Sequence, residues 1–102
     1  MKLIKHKFKV KPTELDGIKF ASKKEGVRYL ELKQLKELGK VTFFLRQTPF
    51  HLPGNIKYVC DFLVFWEDGT TTVEDVKGFK TPTYKAKKKM VESIYPIEIK
   101  EI

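Results

Sequence analysis

Apolar residues change their spacing several times along this chain, and each change marks an element. In "SKKEGVRYLELKQLKELGK" they recur at helical intervals as Val27, Leu30, Leu35 and Leu38. Ser22 stands where an N-cap belongs, Glu25 follows three residues later, and Gly39 supplies the stop. "VTFFLRQ", Val41 to Gln47, has the β-branched and aromatic content of a strand, and Pro49 and Pro53-Gly54 then predict a loop with at most a short extended piece. Strands follow at Lys57 to Trp66 and Thr70 to Lys77. A helix is expected from about Thr81-Pro82 to no further than Pro96, and the alternating "IEIKEI", Ile97 to Ile102, predicts a last strand. Residues 1–21 read as an arm or hairpin turning at Asp16-Gly17, and 22–102 as a single core. The order α-β-β-β-α-β suits an α/β domain, a mixed central sheet flanked by helices.

The second and third of these strands carry an anomaly. "DFLVFWEDGTTTVEDVKG" is the most apolar stretch of the chain, yet it holds Asp61, Asp75 and Lys77. The turn decides whether the aspartates meet. A two-residue Asp68-Gly69 turn would put them on opposite faces. A three-residue loop, Glu67-Asp68-Gly69, with glycine in the left-handed position, places Asp61 across from Asp75 and Lys77 on the same face. Glycine sits where the longer loop needs it, so the longer loop is expected. Carboxylates ~4.5 to 5.5 Å apart at the backbone repel each other. Lys77 offsets part of that repulsion; a hard divalent cation, Mg²⁺ or Mn²⁺, offsets more. Such a cation beside a lysine can polarise a phosphodiester and activate water. The structural alternative is a solvated pair of strand-end aspartates with Lys77 as an ordinary ion-pair partner.

Charge adds a partner. The 102 residues carry a net charge of +8, which favours polyanions through counterion release. One cysteine and two separated histidines give no zinc spacing. No apolar run reaches the ~20 residues of a membrane span, and the start lacks a signal peptide's apolar core, so a cytoplasmic protein with no membrane partner is expected.

The aspartate on one strand and Asp75-Val76-Lys77-Gly78 on the next resemble the PD-(D/E)XK nuclease superfamily. More closely, Ser22-Lys23-Lys24-Glu25, Tyr29-Leu30-Glu31-Leu32, Gln47 before Pro49, Tyr58 to Phe62, "VEDVKG" and "TPTYKAKK" resemble a family of small phage-encoded endonuclease-like proteins, related to Holliday junction resolvases. The resemblance runs from about Asp16 to the C-terminus. It implies a restriction-endonuclease-like fold, dependence on Mg²⁺ or Mn²⁺, and endonuclease action on DNA, with branched DNA among the substrates. Asp61 and Asp75 match the metal ligands, Lys77 the catalytic lysine, and Glu25 the helical glutamate that completes the metal site. Cys60 stands where the superfamily has proline, and Asp75 where glutamate is commoner.

Glu31 is the rival of Glu25, because it lies between Val27 and Leu35 on the expected apolar face. Six residues turn a helix by roughly 240°, so only one of the two can reach a common cation. Gln47 is a candidate to contact substrate or buttress the site. In the second helix, Ala86, Met90 and Ile94 are expected on one edge of the apolar stripe and Tyr84 and Val91 on the other, with Lys87 between them. Lys85, Lys88 and Lys89 are expected to point outward and, with Lys80, to form a phosphate track. A lysine inside the stripe commonly snorkels; the functional alternative puts Lys87 near the scissile phosphate. Phe43, Phe44 and Phe50 are assigned to the core. A homodimer would serve a nuclease that cuts two strands. The competing functions are a catalytically silent nucleic-acid-binding module and a small phage regulatory protein.

Overall fold

A computed structural model describes residues 13–76 and 80–102. The predicted arm residues 1–12 and the predicted catalytic Lys77, with Gly78, lie outside the described residues. Thr13–Leu15 (β1) and Ile18–Phe20 (β2) form a hairpin through Asp16-Gly17, both at positive φ. Helix α1 spans Lys23–Glu37, then β3 Val41–Leu52, β4 Ile56–Trp66, β5 Thr71–Asp75, α2 Pro82–Ile94 and β6 Ile99–Glu101. The expected α-β-β-β-α-β order is therefore present, preceded by the hairpin.

The main sheet has the order β3-β4-β5-β6, antiparallel except for the last pair. β5 and β6 run parallel because α2 makes the crossover between them. Leu63 packs in the cluster that contains Tyr84 and Val91 of α2, whereas its neighbours Phe62 and Val64 pack with Tyr29, Leu32 and Leu35 of α1. Successive strand residues point to opposite faces, so the two helices cover opposite sides of the sheet.

Several local expectations change. β3 does not end at Gln47 but continues through Pro49 to Leu52. Proline fits there because β3 is the sheet's edge and needs no outward donor. The buried face of α1 is Glu25, Gly26, Tyr29, Leu32 and Leu35, while Leu38 stands half exposed. The hairpin sets this face: a Cβ at Gly26 would lie 3.3 Å from Leu15 Cδ1, so glycine lets β1 close on the helix. Phe43 is not core. It is exposed on the sheet and stacks on Phe65 at 4.3 Å. In α2, Ala86 and Ile94 are exposed and only Tyr84 and Val91 are buried.

Candidate functional site

The three-residue turn forms as expected. Gly69 has φ of 90°, and Phe62 pairs with Glu74 and Leu63 with Val73. Continuing that register sets Asp61 across from Asp75. Their side chains nevertheless part. Asp75 is fully buried and accepts a short hydrogen bond from the Tyr58 hydroxyl, while its backbone carbonyl accepts from Ile102 N at 2.9 Å. Burial and the adjacent Asp75 raise the Tyr58 hydroxyl well above an ordinary phenol, so it stays a donor. Asp61 instead accepts from the Val76 amide at 2.8 Å and from Gln47 Nε2 at 3.3 Å. The mutual repulsion expected of facing aspartates is thus avoided by turning them apart.

The cause is a break in the alternation of β4. Tyr58 and Cys60 pack on the α2 side, but Phe62 and Val64, of the same parity, pack on the α1 side. The strand changes face at Asp61. Opposite it in β3, Gln47 has φ of 51°, a left-handed conformation that non-glycine residues seldom adopt within a strand. This irregularity brings the Asp61 carboxylate toward the start of α1.

There it meets Glu25. The Ser22 hydroxyl caps α1 by accepting from Glu25 N at 3.1 Å, which fixes the first turn. The Glu25 side chain is 6% exposed and lies 3.8 Å from Arg46 Nη2. Gln47 Nε2 donates to its Oε2 at 3.2 Å, so a single amide bridges Glu25 and Asp61. Burial, and then the Asp61 charge, raise the Glu25 carboxyl above its ordinary value, outweighing Arg46 and the hydrogen bonds. Two carboxylates, one solvent-accessible amide and one guanidinium therefore share a small region.

Of the sequence-predicted residues, the structure brings Glu25, Asp61 and Gln47 together. Glu31 goes elsewhere: it pairs with Arg28 at 3.1 Å, on the flank and not on the buried face. Asp75 neighbours the cluster in register but directs its carboxylate to Tyr58. Among the described residues, no three His, Cys, Asp or Glu side chains converge as a metal-holding group. The donor set that is present, two hard carboxylates close enough to repel, fits one oxygen-preferring cation with water filling its shell. Cys60 offers no nucleophile, because burial pushes its thiol up to about 11.

The lysine track is altered. Lys88 does not point freely outward: Lys80 and Lys88 both pair with Glu101, each at 3.3 Å, and Tyr84 donates to the same carboxylate at 2.9 Å. Lys85 and Lys89 are exposed. Lys87 is half-buried and lines, with Lys57, Thr81 and Thr83, a pocket of about 290 Å³ bounded by Tyr58 and Tyr84. Sequence reading missed three supports. Tyr58 holds Asp75, Arg46 faces Glu25, and Arg28 grips Glu74 through Nε at 2.8 Å and Nη2 at 2.6 Å. Strict alternation hides Tyr58, because a residue three before Asp61 would then point to the other face from the aspartates; the two arginines carried no local signal.

The family model described as "Protein of unknown function (DUF1064)" matches residues 5–101. The chain belongs to that family. No curated protein and no solved structure matches. No described helix is long and apolar enough to cross a membrane.

Proposed function

We propose that this DUF1064 chain is a metal-dependent endonuclease of the PD-(D/E)XK type that hydrolyses DNA phosphodiester bonds. The observation that carries the reading is the meeting of Glu25 and Asp61 through one amide, at a break in two strands, in a protein of net charge +8. Glu25 and Asp61 would hold Mg²⁺ or Mn²⁺. When bound, such a cation polarises a phosphodiester and lowers the pKa of a water.

The chain's own residues supply the rest. The Ser22 cap fixes the helix turn that carries Glu25, the Val76 amide holds the Asp61 carboxylate, and Arg46 offsets part of the Glu25 charge. Lys85 and Lys89, exposed on α2, attract the backbone phosphates, and Lys57 and Lys87 line a pocket able to take one of them. Lys77 follows β5 by two residues and is assigned to stabilising negative charge at the reacting phosphate. Asp75 anchors the end of β5 through Tyr58 and joins the ligand set only if that bond opens.

Asp75's inward turn favours one competitor, a silent nucleic-acid-binding module, because it leaves two carboxylates where the superfamily has three. Incubating the protein with a labelled four-way junction, linear duplex and single strand in Mg²⁺, Mn²⁺ or EDTA separates the readings. The endonuclease cuts at least one substrate only with metal. Binding to DNA without cutting under any condition would establish the silent module instead.

A further inference from the structure

Gln47 is costly where it stands. Its backbone is left-handed in the middle of a twelve-residue strand, its side chain is solvent-accessible, and it packs into no core cluster. What it touches is the carboxylate pair. One nitrogen, Nε2, lies 3.2 Å from Glu25 Oε2 and 3.3 Å from Asp61 Oδ1. An amide's oxygen and nitrogen occupy nearly equivalent places, so a half-turn of the side-chain amide exchanges them with little movement. The oxygen would then stand at the same spacing from both carboxylates.

That spacing is close to the one a cation requires. In an octahedral shell with metal–oxygen distances of about 2.1 Å, adjacent ligand oxygens lie about 3.0 Å apart. Without a cation the amide presents its donor and keeps two like charges together; with one, it can present its acceptor. We infer that Gln47 is a ligand of the divalent-cation site, supplying its Oε1 as the third protein oxygen beside Glu25 and Asp61. Only two carboxylates converge there among the described residues, and a neutral amide completes a three-oxygen face without a third negative charge. The inference rests on the metal-site reading above and deepens it.

The two roles a glutamine can play here predict opposite rankings of variants. If Gln47 serves only as an N–H donor between carboxylates, Gln47→Glu places a third repelling charge and is the worst replacement. If it is a ligand, Gln47→Glu keeps an oxygen in place and is the best. Mn²⁺ binding to the full chain, followed by titration calorimetry with apo melting by circular dichroism alongside, distinguishes them. Wild type should bind Mn²⁺, Gln47→Ala should bind at least tenfold more weakly, and Gln47→Glu should restore or exceed wild-type affinity. Gln47→Gly should lose affinity as alanine does while its apo form melts higher than wild type, because glycine accepts the left-handed backbone. Unchanged Mn²⁺ affinity in Gln47→Ala, or Gln47→Glu binding more weakly than Gln47→Ala, overturns the ligand role and leaves the metal centre standing. A wild-type chain that takes up no Mn²⁺ overturns both.

Discussion

Replacing Arg28 by alanine tests how the fold holds its candidate site in position. Arg28 lies one helical turn after Glu25 and makes a two-pronged ion pair with Glu74, next to Asp75 in β5. The Glu74 side chain is 2% exposed and that of Arg28 is 16% exposed, so the pair is nearly sealed from water. Removing one partner of a buried pair costs about 3–5 kcal/mol, since the other charge is left buried alone. A domain of this size has about 5–15 kcal/mol in total. At about 4–8 °C per kcal/mol, the lower bound already lowers the melting temperature by about 12 °C. Urea unfolding followed by fluorescence of Trp66, the only tryptophan, reads the change beside the pair itself. Glu31→Ala removes only the half-exposed branch of the network and should cost no more than about 1 kcal/mol. Arg28→Met combined with Glu74→Met should recover most of the loss, because no charge is then left buried. An Arg28→Ala cost below about 1 kcal/mol would refute the view that this pair clamps α1 to the sheet.

Further expectations concern charge. The Glu25 carboxyl titrates above its ordinary 4.5, so the folded chain binds this proton more tightly than the unfolded one. Its ionisation therefore lowers stability as pH rises from 4.5 through the raised value. Glu25→Gln should be more stable than wild type at neutral pH without metal, with the gain shrinking on acidification through that window; a pH-independent difference in urea midpoints would contradict it. Lys85→Ala and Lys89→Ala should each reduce the slope of log affinity for DNA against log salt by about 1, and Lys80→Ala by less, because Glu101 already offsets Lys80. Equal slopes for all three would remove the distinction. Tyr58→Phe strips a hydrogen bond from a buried carboxylate and should destabilise the fold by about 1.5–3 kcal/mol; thermal melts that coincide with wild type would show that Asp75 does not depend on it.

Much of this architecture could be read from local chemistry. Ser22 and Thr81 cap their helices, Asp16-Gly17 turns the hairpin, and Gly69 selects the longer loop that sets Asp61 across from Asp75. Each of those signals acts within a few residues. What escaped depends on distant partners. The buried face of α1 was misread because the hairpin covering Gly26 was not visible in the helix's own periodicity. Pro49 was read as a loop because nothing local says that β3 is an edge. Lys88 was placed outward because its partner, Glu101, lies on the last strand. The separation of Asp61 from Asp75 arises from a change of face within β4, and a regular alternation of apolar residues hides it. Glu25 and Glu31 could be told to be mutually exclusive from helix geometry alone, but choosing between them needed Gln47 and Arg28 in three dimensions.

The most direct test of the central claim compares those two glutamates. Wild type, Glu25→Gln, Asp61→Asn and Glu31→Gln, each shown to be folded, are assayed in Mn²⁺ on the four-way junction and on linear duplex. Metal-dependent cleavage is expected of wild type and Glu31→Gln, and none of Glu25→Gln or Asp61→Asn. Cleavage that survives in Glu25→Gln and Asp61→Asn, or is lost only in Glu31→Gln, would contradict it.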